Sequence, residues 1–211
     1  MINKGKTRFL PRKKRGIRKE KCTITTHKNL SVKIDYISIV FETATAEDVI
    51  MHILGLPTDI FNVYPATIKF KTYQARWQVG DIYVSGDARK TEDNPQGLGC
   101  YLVMTGRGCD DIFRILNNRN YTFGDMFRRC ERRYGLDNFH FTRLDIAIDD
   151  KNEKPFFTIE QIKKKCEKEE FISNSEGYHF DESKFDDFDT AKTVYIGAGK
   201  SGLSYRFYDK D

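Results

Sequence analysis

The chain has 211 residues, of which 39% are hydrophobic, 32% charged and 13% aromatic. This composition is polar for a globular protein but supports a packed core rather than disorder. Nowhere does the sequence hold the run of about 20 apolar residues that crosses a bilayer, and the basic N-terminus lacks the apolar segment of a secretory signal. The five cysteines are scattered without a C-x-x-C pair. They disfavour a disulfide scaffold or a zinc ribbon and fit a reducing cytoplasm, which is the predicted location.

Charge is distributed unevenly along the chain. Residues 1–33 hold twelve Lys and Arg against one acid, whereas the rest of the chain is mildly acidic. We predict a basic arm over residues 1–31, followed by a single domain at residues 32–211. The cations of the arm would give a polyanionic partner salt-sensitive affinity that does not depend on sequence. They include Arg12, Lys13, Lys14 and Arg15. A solubilising tail would carry the same charge, so composition leaves both interpretations open.

Apolar periodicity and turn residues predict the elements of this domain. In chain order they are a strand at Val32–Phe41, a helix between Thr45 and Gly55, strands at Ala66–Tyr73 and Trp77–Ser85 with a turn at Gly80-Asp81, a strand at Cys100–Thr105, helices at about Cys109–Leu116 and at Phe123–Tyr134, a strand at Phe139–Asp149, a helix capped by Thr158 and Gln161, and strands at Thr193–Gly197 and Leu203–Asp209. Residues 92–99 and the acidic run 173–191 are predicted as loops. Because hairpins join several strands, the predicted fold is α+β, a mainly antiparallel sheet with packed helices.

The strand that ends at Asp149 is predicted to have one apolar and one charged face, because alternate side chains of a strand share a face. One face holds three apolar residues that predict a core stripe: Leu144, Ile146 and Ile148. The other face holds two carboxylates separated by a small residue: Arg143, Asp145, Ala147 and Asp149. Oxygen ligands favour Mg²⁺ or Mn²⁺ over Zn²⁺, so the two carboxylates predict a divalent metal site. An acidic face exposed to solvent has the same pattern and stays an alternative.

The last strand places Tyr208 between two cations, Arg206 and Lys210, on one face. Such a tyrosine is a candidate nucleophile or phosphate contact, because a neighbouring cation or metal favours the reactive phenolate. An ordinary half-exposed strand tyrosine is the alternative interpretation.

Two glycine-containing turns are candidate phosphate contacts. Gly106-Arg107-Gly108 leads from a strand into a helix, whose N-terminal N–H groups bind anions, although an ordinary βα turn has similar residues. The segment from Gly197 to Ser201, which includes Lys200, resembles the end of a P-loop. We reject nucleotide binding there, because Val194 stands where the first glycine is needed and a β-prone segment follows.

These motifs occur in an order that resembles the replication initiation factor family. That family comprises the initiators of rolling-circle plasmids and the related relaxases of Gram-positive conjugative elements. The matching stretches are Ile34-Asp35-Tyr36, Tyr101–Cys109, Phe141–Asp149, Thr193–Gly197 with Ser201, and Arg206–Lys210. The resemblance spans about residues 32–211, and its most specific part is the RLD-x-A-x-D block followed by Y-x-G, S and R-x-Y-x-K.

The resemblance implies nicking and joining of one DNA strand at an origin. It makes Tyr208 the nucleophile that leaves a 5′-phosphotyrosine and a free 3′-hydroxyl, with Arg206 holding the phosphate. It places Mg²⁺ or Mn²⁺ on Asp145 and Asp149, with Asp35 as a third ligand candidate. The candidate DNA contacts are the four arm residues named above together with Gly106, Arg107, Gly108, Arg143, Lys200, Ser201 and Lys210.

The implied partners are origin DNA that is single-stranded at the nick, a second copy of the chain and a helicase, with no membrane. Plasmid replication and conjugative transfer use the same reaction, and the sequence does not separate them. The sequence ends three residues after Tyr208, whereas relatives continue further. A non-catalytic fragment that binds nucleic acid or joins a longer relative therefore stays the alternative.

Overall fold

The computed structural model describes residues 29–65, 72–88, 90–170, 177–185, 189–197 and 203–209. The predicted basic arm up to residue 28 lies outside the described residues, and so do Lys200, Ser201, Lys210 and most of the strand predicted at Ala66–Tyr73. The described elements are β1 (Leu30–Phe41), α1 (Ala46–Asp48, continued by a π-helical segment at Val49–Leu54), β2 (Asn62–Pro65), β3 (Tyr73–Val79), β4 (Ile82–Ala88), β5 (Cys100–Met104), α2 (Gly106–Asn118), α3 (Phe123–Tyr134), β6 (Phe139–Asp150), α4 (Ile159–Glu167), β7 (Tyr178–Phe185), β8 (Asp189–Ile196) and β9 (Tyr205–Tyr208).

The chain divides into two compact units, one of residues 31–149 and one of residues 1–30 and 150–211. The first unit contains a six-stranded sheet in the order β2-β3-β4-β5-β1-β6, and the second a three-stranded sheet in the order β7-β8-β9. Neighbouring strands pair antiparallel in both sheets, and for β1 and β6 this follows from backbone hydrogen bonds of Glu42 to Asn138 and of Lys151 to Asn29. The predicted α+β class is therefore confirmed. Among the described residues, none of the helices is long and apolar enough to cross a membrane.

One face of the six-stranded sheet forms the core of the first unit. Strand alternation in β1 buries Ile37, Ile39 and Phe41 completely. Their partners across the strand pair are Met104, Leu102 and Cys100 of β5, all fully buried. Helices α2 and α3 and the π-helical segment bury their apolar side chains in the same cluster. Each large apolar side chain buried here contributes about 1.5–3 kcal/mol to folding.

The opposite face of this sheet, called the polar face below, carries tyrosines, hydroxyls and an arginine. Antiparallel partners share a face, so the pairing register identifies its members. They are Arg76 and Gln78 on β3, Tyr83 and Ser85 on β4, Tyr101 and Val103 on β5, and Ser38 on β1. Because the helices of this unit pack with the apolar cluster, these polar side chains lie on the side of the sheet away from that core.

Local sequence signals set the ends of two helices as predicted. The Thr45 side chain accepts a hydrogen bond from the Asp48 N–H at 3.2 Å, and Gly55 ends the helical segment with a left-handed φ of 66°. Thr158 and Gln161 form the predicted capping box at the start of α4. The apolar face of α4 is buried against Val194 and Ile196 of β8, which gives the second unit its own core.

The acidic segment 173–191 was wrongly predicted as one long loop. Residues 178–185 form β7, which pairs with β8 from Tyr178 opposite Ile196 to Phe185 opposite Asp189. Acidic residues are disfavoured in strands, but hydrogen bonding to a neighbouring strand can outweigh that preference. The sequence analysis also missed β2, and it placed β3 and β4 in a single strand around the correctly predicted turn at Gly80-Asp81.

Candidate functional site

Tyr208 and Arg206 lie on β9, at the edge of the three-stranded sheet. β9 pairs with β8 so that Phe207 stands opposite the fully buried Val194. Phe207 packs with the apolar cluster of this unit, and alternation therefore places Arg206 and Tyr208 on the other face. The shared face predicted for these two residues is present in the structure.

The Arg206 guanidinium lies close to two tyrosine rings on this face. Its Cζ atom is 5.2 Å from the centre of the Tyr208 ring and 5.5 Å from that of Tyr195, which stands opposite Arg206 on β8. Tyr208 is 43% exposed, so a substrate can reach its ring and hydroxyl. A fixed positive charge at this place attracts a phosphate. The sequence analysis missed Tyr195 as a neighbour of Arg206, because only the pairing of β8 with β9 brings the two together.

Asp145, one of the predicted metal ligands, is held by an arginine of its own strand. The Nε and Nη2 atoms of Arg143 donate hydrogen bonds to its carboxylate at 2.9 and 2.6 Å. The hydrogen bonds that Arg143 donates to Asp145 raise the pKa of Arg143 above its ordinary value. The same guanidinium lies 4.3 Å above the Tyr36 ring of β1. The negative charge of Asp145 is thus neutralised by a bidentate partner.

The other two predicted ligands lie near a lysine. The Nζ atom of Lys33 is 3.2 Å from a carboxylate oxygen of Asp35 and 3.7 Å from one of Asp110. Burial lowers the pKa of Lys33, but a hydrogen bond to Asp35 and attraction to Asp110 and Asp149 raise it by more. The lysine ammonium therefore balances part of the negative charge around Asp35.

The oxygen atoms of these carboxylates are ligands of the kind that Mg²⁺ and Mn²⁺ prefer, and in the structure Asp145 and Asp35 are paired with cations of the protein. Among the described residues, no group of three or more His, Cys, Asp or Glu side chains lies close enough to bind a metal ion. Asp145 is paired with Arg143, and Asp35 with Lys33. The metal ion thus stays a prediction. To bind these carboxylates it would have to compete with the side chains of Arg143 and Lys33.

The predicted phosphate contact Gly106-Arg107-Gly108 is the first turn of α2 and does not precede the helix. The helix therefore begins three residues earlier than predicted. A Cβ on Gly106 would lie 3.3 Å from a carboxylate oxygen of Asp35, and one on Gly108 would lie 2.4 Å from the carbonyl oxygen of Asp81. Close packing thus explains both glycines. The Asp35 carboxylate lies beside the helix N-terminus, where a negative charge is favourable.

The apolar stripe predicted for β6 is not buried. Leu144, Ile146 and Ile148 are 43%, 63% and 67% exposed, whereas Asp145 and Asp149 on the charged face are half-buried. β6 is the last strand of its sheet, and at its start Phe139 packs against the apolar cluster and the Phe141 ring lies 5.0 Å from that of Phe127 in α3. Burial here follows the position of the strand relative to the helices rather than the hydrophobicity of its faces.

Comparison with known proteins gives matches along most of the chain. Residues 31–129 match the family model of the "Rolling Circle replication initiation protein N-terminal domain", and residues 139–211 match that of the "Replication initiation factor". A curated relative, "Putative DNA relaxase NicK" of Bacillus subtilis (strain 168), is 32% identical over 180 residues, which are 84% of this chain and 47% of the relative. The chain thus spans about half the length of that relative.

A solved structure shows the same fold. The rolling circle replication initiator protein from Geobacillus stearothermophilus superposes with a TM-score of 0.65 over 85% of this chain and 66% of the other, at 24% identity. The fold class is therefore that of a rolling-circle initiator, in which an antiparallel sheet carries packed helices. With both family models matched, the chain belongs to the replication initiation factor family, which comprises rolling-circle replication initiators and related relaxases.

Proposed function

We propose that the chain nicks and rejoins one strand of DNA through Tyr208. The observation that carries the proposal is the position of the Arg206 guanidinium 5.2 Å from the exposed Tyr208 ring, on the face of β9 turned away from the core. Family membership supports it, because the block that contains both residues lies within the matched replication initiation factor segment.

The chemistry is a transfer of one phosphodiester between two oxygens. The Tyr208 oxygen attacks phosphorus, forming the tyrosine O–P bond as the bond to the 3′-oxygen breaks, and the phenol proton leaves to solvent. The departing 3′-oxygen takes a proton and becomes a free hydroxyl. Arg206 attracts the phosphate and offsets the negative charge that develops on it. Attack by a 3′-hydroxyl on the phosphotyrosine reverses the step and rejoins the strand.

We also propose Mg²⁺ or Mn²⁺ as a bound ion, with Asp145 and Asp149 as its ligands and Asp35 as a further one. Oxygen donors of this kind are the ligands that both ions prefer. Because Arg143 holds Asp145 in a bidentate pair, metal binding would need that arginine to turn away. The step at Tyr208 is therefore proposed on the protein residues alone, and the metal is tested separately.

The second candidate function is a nucleic-acid-binding fragment that does not cleave. It is favoured by one observation, that the chain spans 47% of its curated relative. In either case the proposed partner is origin DNA that is single-stranded at the nick, with a second copy of the chain and a helicase as further proposed partners.

The experiment that tests the proposal searches for a covalent protein–DNA adduct. Single-stranded oligonucleotides tiled across the replicon that encodes the chain are incubated with the protein and Mn²⁺, and adducts are scored on denaturing gels. Tyr208→Phe should abolish the adduct, because only the hydroxyl is lost. Tyr205→Phe is the matched control, since Tyr205 lies on the same strand opposite the buried Ile196 and should retain the adduct. An adduct in Tyr208→Phe would contradict the proposal.

A further inference from the structure

An arginine stacks on a tyrosine at the centre of the polar face. The Arg76 guanidinium lies 4.2 Å from the centre of the Tyr83 ring, and its Nη2 atom donates to the Gln78 side chain at 2.8 Å. Among the described residues, the Nε atom of Arg76 is buried without a hydrogen-bond partner. Buried donors are nearly always paired in folded proteins, so this donor needs an acceptor that the described chain does not supply.

A second arginine–tyrosine stack lies on the same face. The Arg143 guanidinium lies 4.3 Å from the centre of the Tyr36 ring. Alternation from Ser38 places Tyr36 on the polar face, where Tyr101 of the neighbouring strand β5 also lies. β4 and β1 are separated in the sheet by β5 alone, so the two stacks are on the order of 10 Å apart across the strands.

Resting on the proposed DNA function, we propose that this face binds the bases of single-stranded DNA, with Tyr83 and Tyr36 as stacking platforms. Aromatic rings stack on any base, and arginine planes add cation–π attraction and donors for phosphate. The positive charge of Arg76 on the Tyr83 ring complements an anionic strand, whereas the charge of Arg143 on the Tyr36 ring is paired with Asp145. An acceptor on the bound strand would also give the Arg76 Nε atom a partner.

The surface is specific for unpaired bases. Bases within a duplex are already stacked on each other, and their faces are closed to a protein side chain. Removing an aromatic ring should therefore weaken binding of a single strand and leave duplex binding unchanged. Affinity that came from phosphate contacts alone would fall alike for both forms.

The test measures binding of a fluorescent oligo(dT) and of a duplex of equal length by anisotropy. It uses chelator and the 211-residue chain carrying Tyr208→Phe, so that cleavage does not interfere. Tyr83→Leu and Tyr36→Leu should each weaken oligo(dT) binding by about 5- to 100-fold. Tyr83→Phe should restore it, because the ring is kept. Tyr121→Leu is the matched control, since Tyr121 also carries an arginine, Arg129 at 4.5 Å, but lies in the turn between α2 and α3.

Three results would contradict the proposed DNA-binding surface. They are unchanged oligo(dT) affinity in both leucine variants, a loss of duplex affinity as large as that of oligo(dT) affinity, and an equal loss of oligo(dT) affinity in Tyr121→Leu. Thermal unfolding of each variant checks that it is folded, and quenching of 2-aminopurine placed in the oligonucleotide reports stacking independently of affinity. The two proposals fail separately. If the protein forms the adduct but oligo(dT) binding is unchanged in the leucine variants, only the proposed DNA-binding surface is contradicted. If the leucine variants lose oligo(dT) binding but the protein never forms an adduct, only the nicking proposal is contradicted.

Discussion

The carboxylate of Asp48 joins α1 to α3, and its replacement by alanine is the sharpest test of how the first unit is held together. The Nε atom of Arg133 donates to it at 2.8 Å, and the Arg133 Nη2 atom and the Tyr134 hydroxyl donate as well. The Asp48 side chain is 25% exposed, so solvent screens these bonds in part. A hydrogen bond to a charged group contributes about 1.5–3 kcal/mol, and we expect Asp48→Ala to lower the free energy of unfolding by about 2–3 kcal/mol.

The stability lost in Asp48→Ala should decrease as the pH is lowered. The hydrogen bond from Arg133 lowers the pKa of Asp48, with a further contribution from Tyr134. A carboxyl whose pKa is lower in the folded state stabilises the fold above its unfolded pKa of about 4 and loses that contribution as the pH falls through its folded value. The stability difference between the wild type and Asp48→Ala should therefore be complete at neutral pH and shrink below about pH 4.

Thermal unfolding followed by circular dichroism measures both effects. A loss of 2–3 kcal/mol corresponds to a fall in Tm of about 4–12 °C for a chain of this size. The control is Asp111→Ala, because the Asp111–Arg114 pair is 3.8 Å apart and exposed and should contribute less than about 1 kcal/mol. An unchanged Tm in Asp48→Ala, or a difference that persists undiminished at low pH, would refute the reasoning.

Three further predictions concern packing, metal and charge. Gly108→Ala should lower the free energy of unfolding by about 1–3 kcal/mol, because its Cβ would lie 2.4 Å from a backbone carbonyl oxygen, whereas Gly124→Ala, with its nearest contact at 3.5 Å, should not; denaturant titration compares them. Asp145→Asn and Asp149→Asn should each abolish Mn²⁺-dependent cleavage without changing DNA affinity in chelator, and normal cleavage in either variant would exclude that ligand. Deleting residues 1–28 should weaken binding to all DNA sequences alike and reduce the slope of log Kd against log salt, and a changed preference among sequences would argue against this view.

Features that depend on a few neighbouring residues were predicted correctly from the sequence. The capping box of α4 needs only Thr158 and Gln161, and the shared face of Arg206 and Tyr208 needs only the two-residue period of a strand. The alternation of β6 was equally clear, but which of its faces is buried depends on the place of the strand in the sheet. That place is set by pairing with β1, and the sequence alone does not give it.

The arrangement of the charged residues depends on contacts between distant segments. Asp35 lies beside Gly106 because α2 begins directly after β5, the strand that pairs with β1. The sequence analysis had given the two residues separate roles, Asp35 as a metal ligand and Gly106 as a phosphate contact. Arg143 donates two hydrogen bonds to Asp145, and strand alternation did predict that these two residues share a face. The sequence nevertheless favoured a metal ion there, because pattern alone does not show which cation neutralises a carboxylate.

The central claim is that the hydroxyl of Tyr208 becomes bonded to the DNA, and mass spectrometry of the purified adduct tests it most directly. After digestion by trypsin and nuclease, we expect a nucleotide on the peptide that contains Tyr208, linked through its 5′-phosphate. Trypsin cleaves after Arg206 and so separates Tyr208 from Tyr205, and the mass of the modified peptide identifies the ring. A nucleotide on Tyr205 or on Tyr195, or a nicked product with no protein attached, would contradict the account.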